Sequence, residues 1–200
     1  MSRWMGLYAC CVLVGCGMSD STGIVGEAES VSAKGTSLSS SVKDDHVEEV
    51  EDLDMQASDF ECLLHWDRVR NFRITNRLGH RDEALAVANN ASGGGAYPVG
   101  TVIQIIPDEA MVKRRQGWNP GTNDWEFFKL QVNASGTTID PNGGRGADIS
   151  NLVGSCKGCH SGAQPQFDFT CESGHGCGPL PFGLTSEFLV TLQERDPRCR

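Results

Sequence analysis

Five consecutive residues, Cys156-Lys157-Gly158-Cys159-His160, carry the clearest chemistry in the chain. Two thiols separated by two residues fall on one helical turn, where both can reach the vinyl groups of a haem and form thioethers. The next residue then lies beneath the iron. The spacing therefore predicts a covalent c-type haem held by Cys156 and Cys159, with His160 as the proximal iron ligand. Zinc is the competing cofactor, because Cys156, Cys159, His160, Cys171, His175 and Cys177 offer enough thiol and imidazole for a tetrahedral site. The spacing of Cys171 and Cys177 is not that of a two-knuckle zinc ribbon, however, and exported thiols tend to oxidise before they meet zinc. Haem is preferred.

The start of the chain reads as an export signal. Ser2-Arg3 supply a basic opening, and Trp4 to Gly15 form an apolar stretch too short to span a bilayer. Leu13-Val14-Gly15-Cys16 resembles the lipobox of bacterial lipoproteins. That resemblance implies a signal peptide over 1–15, a lipid on Cys16, and an anchored protein on the periplasmic side, at the outer membrane. Covalent haem of this type is attached outside the bacterial cytoplasm, so motif and signal point to one compartment.

Residues 16–59 read as the lipidated cysteine followed by a disordered acidic tether. Positions 17–59 hold eleven acids against two lysines, a composition that cannot bury enough surface to fold alone. The chain of 200 residues carries 17 Lys+Arg and 26 Asp+Glu, a net charge of −9. Nearly all of that charge belongs to the tether, and an acidic chain is repelled by phosphate backbones, which excludes nucleic acid as a partner. The nine cysteines are then distributed by role. Cys10 and Cys11 leave with the signal, Cys16 takes lipid, and Cys156 and Cys159 take haem. Cys62, Cys171, Cys177 and Cys199 remain as disulfide formers with three possible pairings. The expected one closes a local Gly-rich loop with Cys171–Cys177 and staples the domain ends with Cys62–Cys199.

The elements that must position the motif lie in residues 60–200. Phe60, Leu63, Leu64 and Val69 recur at helical spacing, and Glu83 to Asn90 predicts a second short helix. Thr101-Val102-Ile103-Gln104-Ile105-Ile106 is a β-branched run that predicts a strand ended by Pro107. Ala110 to Arg115 predicts the next strand. Trp118-Asn119-Pro120-Gly121 is turn chemistry. Trp125 to Val132 predicts a third strand, with Glu126, Phe128, Leu130 and Val132 on one face and Trp125 and Phe127 on the other. Ile149 to Val153 is expected to lead helically into the motif, and Thr185 to Gln193 to form a closing amphipathic helix. The sum is an α+β domain, an antiparallel β-sheet with flanking helices and a C-terminal haem-attachment segment.

Several of these stretches together resemble the cytochrome P-460 family, which includes the cytochromes c′-beta. They are Tyr97-Pro98-Val99-Gly100-Thr101-Val102, Met111-Val112-Lys113-Arg114, Asn123-Asp124-Trp125-Glu126-Phe127, and the late CxxCH followed by Asp168-Phe169. The resemblance covers roughly residues 66–172. It implies an antiparallel sheet with flanking helices, commonly a homodimer, and a haem iron open on one face to a small gaseous or nitrogenous ligand. Family members either bind gases such as nitric oxide or oxidise hydroxylamine. The enzymes carry a lysine cross-linked to the haem, on or near the strand after the Pro-x-Gly-Thr turn. Here that strand has no lysine, and Gln104 is its nearest polar position, which favours gas binding. By the same resemblance Arg77 and Glu109 are candidate pocket residues, a fixed cation for a polar ligand and a carboxylate that could take protons. Met111 as a second axial ligand would instead make an electron carrier serving a redox partner protein.

Overall fold

The computed structural model describes residues 51–151, 154–180 and 183–199. Cys10, Cys11, Cys16, the signal peptide and the tether up to residue 50 lie outside the described residues. Among those described, no helix is long and apolar enough to cross a membrane.

Six strands follow one another in space in their chain order, each antiparallel to the last: β1 (Asp67–Val69), β2 (Phe72–Asn76), β3 (Thr101–Ile106), β4 (Glu109–Lys113), β5 (Trp125–Asn133) and β6 (Gly136–Ile139). A further two-residue strand, β7 (Arg145–Gly146), pairs with β5. Helices α1 (Arg81–Asn89), α2 (Cys156–His160) and α3 (Ser186–Glu194) complete the expected α+β architecture.

Because side chains alternate across a strand, the sheet sorts its residues onto two faces. On the first, Ile74, Ile103, Met111 and Phe127 stand in cross-strand register over four strands. Trp125 and Ile149 join this core, and α1 lies in it through Ala84 and Ala88, whose small side chains allow close approach. On the second face, Val102, Val112, Phe128 and Leu130 are buried with Met55, Phe60, Leu63 and Trp66. Each fully buried large apolar side chain contributes about 1.5–3 kcal/mol. The face assignments expected for Trp125 to Val132 hold throughout. Thr185 caps α3 by accepting from the Phe188 amide at 3.3 Å. From this helix the buried Gln193 amide donates to the carbonyls of Asn71 and Ile105, at 2.8 and 2.9 Å.

Three local expectations are corrected. Residues 60–69 do not form a helix: a single 3-10 turn at Leu63–His65 gives way directly to β1. The Cys62–Cys199 disulfide and the Leu63 amide, which donates to the Asp196 carboxylate at 3.0 Å, hold this stretch in place. Leu64, which a helical stripe would bury, is 41 % exposed. Ile149 to Val153 does not lead in helically either. Described residues there form a two-stranded ladder, β8 (Ser150–Asn151) with β9 (Gly154–Ser155).

The third correction is to the domain boundary at residue 60, which falls too late. Met55 is fully buried, and Asp52 and Asp54 are part of the fold. Arg114 and Glu126 are buried side by side, with Arg145 beside them. Two guanidinium groups against one carboxylate leave a positive charge unpaired. Asp52 supplies the missing anion, accepting from Arg114 Nε and Nη2 at 3.0 and 2.9 Å and from the Arg115 amide at 2.8 Å. Asp54 accepts from Arg145 at 2.5 Å. Acids that read as a solvated spacer are counter-ions of the domain.

The Arg114 hydrogen bonds hold the Asp52 carboxyl at about 2, from an ordinary 3.8. A depressed folded-state value means the stabilisation is fully present above about pH 4 and is lost as the pH falls towards 2. Asp52→Asn is expected to cost about 1 kcal/mol at neutral pH and to flatten the pH dependence across that window. Urea midpoints of the two proteins at neutral pH and near pH 3 check this; equal midpoints at neutral pH would contradict it.

Candidate functional site

The motif forms α2, a single turn. Ser155 caps it, its hydroxyl accepting from the Gly158 amide at 2.9 Å. The Cys156 amide donates to the Ile149 carbonyl at 3.0 Å, tying the turn to the strands before it. A helix this short is unstable alone, so these contacts define its position. Cys156 packs partly buried against the first-face core, while Cys159 is exposed. Both are free. The other four described cysteines pair as Cys62–Cys199 and Cys171–Cys177, the expected pairing of the three.

His160 is oriented through its Nδ1, which lies 2.7 Å from the Phe169 carbonyl oxygen. A carbonyl can only accept, so Nδ1 carries the proton and the lone pair of the neutral ring sits on Nε2. Burial holds the imidazole pKa below its ordinary value, with the carbonyl opposing the shift. The Phe127 ring lies against it, centroids 5.1 Å apart. No role at the site was expected of Phe127; its place on the first face was the available signal.

Strand alternation puts Glu109, Met111 and Lys113 of β4 on this same face. At one end, Glu109 lies close enough to Cys156 for its charge to add to the effect of burial, which pushes the thiol up to about 11. The Glu109 carboxyl is itself raised by burial and by Asp108, and accepts from Asn151 at 2.6 Å, which opposes the rise. Asn151 had no signal in the sequence. In the middle, Met111 is buried in the apolar row. At the other end, Lys113 Nζ donates to both Asp168 oxygens, at 2.7 and 2.8 Å, and to the Asn123 carbonyl at 2.7 Å.

The remaining candidates stand apart. Arg77 pairs with Glu61 at 3.0 Å and Asp59 at 4.0 Å. Its amide bonds to Gly100 at the start of β3, whereas Glu109 faces Ile106 at the far end of that strand. The structure therefore does not bring Arg77 and Glu109 into one pocket: β2 ends where β3 begins, and Arg77 follows directly on β2. Gln104 shares the face of Val102, away from Cys156. Its fully buried amide donates to the Pro107 and Glu109 carbonyls at 3.2 and 3.3 Å, while its Oε1 has no partner among the described residues. His175 stacks on Phe167 at 3.7 Å and bonds the Thr170 carbonyl, a packed structural role.

The donor set fits a c-type haem: two free thiols on one turn and, beside them, an imidazole whose lone pair is on Nε2. It fits zinc less well, since the Cys171–Cys177 disulfide removes two thiols from that site. Among the described residues no group of three or more His, Cys, Asp or Glu is placed to hold a metal ion. No protein-family model, curated protein or solved structure matches this chain.

The two thiols should differ in reactivity before anything is attached to them. A thiol at about 11 carries about a hundredfold less thiolate than one at its ordinary value. In full-length chain made without haem-attachment machinery, iodoacetamide at pH 8 should label Cys159 first and Cys156 slowly. Glu109→Gln should speed the labelling of Cys156. Peptide mass mapping reads both, and equal rates at the two thiols would refute the placement of Cys156.

Proposed function

We propose that this protein is an exported, lipid-anchored monohaem c-type cytochrome of the P-460 kind, which binds or transforms a small ligand such as nitric oxide at an open haem iron. The observation that carries the reading is the state of the cysteines. Every other described cysteine is oxidised, yet two thiols within one turn stay free beside a histidine whose lone pair is directed to Nε2. In an oxidising compartment such a pair is stable only if something takes it. Cys156 and Cys159 would hold the haem by thioethers and His160 would ligate it through Nε2. The bound haem supplies an iron with one coordination position left for the ligand.

The chain's own residues contribute in defined ways. The Phe169 carbonyl orients His160 and strengthens it as a donor. Glu109, held by Asn151, is a half-buried carboxyl near Cys156 whose raised pKa lets it keep or release a proton nearer neutrality than an exposed one. The strand that carries the cross-linking lysine in the family's enzymes has none here, which supports gas binding over hydroxylamine oxidation. On this reading Cys16 carries the lipid, the protein faces the periplasm, a redox partner protein supplies or removes electrons, and the chain pairs as a homodimer.

The test is the optical spectrum and intact mass of full-length protein exported alongside haem-attachment machinery. The expected result is a haem mass on the chain, lost in Cys156→Ser/Cys159→Ser, and a high-spin spectrum that shifts on adding nitric oxide. A low-spin spectrum indifferent to the gas would mean a second axial ligand and an electron carrier. Absence of any haem band would overturn the proposal.

A further inference from the structure

The turn that presents the Phe169 carbonyl to His160 is built from two consecutive non-glycine residues in the left-handed region, Asp168 at φ 47° and Phe169 at φ 64°. A second such pair, Asn123 at φ 47° and Asp124 at φ 61°, lies in the loop before β5. Left-handed backbone is unfavourable for residues with a Cβ and persists only where the surroundings fix it. Both pairs converge on one group. The Lys113 ammonium donates to the Asn123 carbonyl and to both carboxylate oxygens of Asp168, and it lies 5.2 Å from the centroid of the Trp125 ring. Around it the turn is fixed twice more. The Tyr97 amide donates to Asp168 Oδ2 at 2.8 Å, and Trp125 Nε1 donates to the Asp168 carbonyl at 2.7 Å.

We infer that Lys113 and Asp168 are positioning residues for His160. Their ion pair holds the left-handed turn, the turn places the Phe169 carbonyl, and the carbonyl keeps the proton on Nδ1 so that the ring's lone pair is on Nε2. The value of that orientation to an iron rests on the function proposed above. The orientation itself does not.

Removing one partner strands a buried charge, so the informative variant is the neutral double, Lys113→Met/Asp168→Asn. Asparagine tolerates the left-handed region and keeps an acceptor for the Tyr97 amide. In full-length protein made without haem, side-chain 15N NMR should show His160 as a single Nδ1-H tautomer. The double variant should show a mixture of tautomers, with the Trp125 indole N–H exchanging about tenfold faster as its hydrogen bond weakens. In haem-loaded protein the variant should have a raised reduction potential, because a weaker Nδ1 hydrogen bond makes a poorer donor to the oxidised iron. Asp196→Asn is the control. It disrupts another buried pair, with Arg198, and should lower stability while leaving the tautomer and the potential unchanged. A folded double variant that retains the single tautomer and the slow indole exchange would overturn the inference. A protein that shows the tautomer change but never takes up haem would uphold the inference and sink the proposed function.

Discussion

An ammonium group enclosed by protein has to be met by acceptors from every direction it can donate, and Lys113 is met by three. They come from Asn123 and Asp168, residues far apart in the chain and both in left-handed backbone. Breaking a buried pair of this kind costs about 3–5 kcal/mol, mostly because the surviving charge is left unpaired. That penalty is at least as large as the roughly 2–4 kcal/mol by which the two left-handed residues of the turn together resist their conformation. The turn at Asp168-Phe169 therefore cannot relax without exposing a worse state, and the carbonyl that orients His160 is fixed with it.

The two-residue period of β4 gives this constraint its reach. Glu109, Met111 and Lys113 share a face, so one strand carries an acid near Cys156, an apolar residue in the core row and a cation that anchors the turn beyond His160. The motif helix is a single turn with little stability of its own; Ser155 and the Ile149 carbonyl hold its start and the Phe169 carbonyl meets His160 at its end. The register of β4 matters accordingly. Gln104, buried on the opposite face, donates to the Pro107 and Glu109 carbonyls where the pairing of β3 with β4 shifts. A residue with no contact to the motif thus fixes where Glu109 emerges.

The antiparallel character of the sheet, the positions of β3, β4 and β5 and the Cys171–Cys177 pairing were legible because they depend on local pattern. Thr101 to Ile106 is β-branched at every position but Gln104, Trp125 to Val132 alternates, and Cys171 and Cys177 are close enough in sequence to be natural partners. What failed depended on distant partners. Asp52 and Asp54 look like spacer until Arg114 and Arg145 are seen to lack counter-ions. Phe60 to Val69 has helical spacing, but a disulfide and a carboxylate from the far end of the chain dictate an irregular path. β2 was missed because its alternation, Phe72-Arg73-Ile74-Thr75, runs for only four residues before the polar Asn76 takes the next buried position, and β6 because Gly136-Thr137-Thr138 gives little alternation. Lys113 reads from the sequence only as part of the stretch Met111-Val112-Lys113-Arg114, and no local pattern marks Asp168 as its partner.

The covalent staples follow the same separation of roles. Cys62–Cys199 joins the segment that covers the second face to the residues after α3, closing a loop of sequence separation 137. Cross-linking of that length restricts the unfolded chain strongly, by about 4–5 kcal/mol in the chain-entropy account. Cys171–Cys177 spans six residues and constrains the unfolded chain far less. It does more locally, fixing the stretch that follows Asp168 and Phe169 and so backing the turn against His160. The sheet and the long staple make the fold, while the short staple and the Lys113 pair shape the surroundings of the motif. Neither set uses Cys156 or Cys159, so the fold is stapled without drawing on either thiol of the motif.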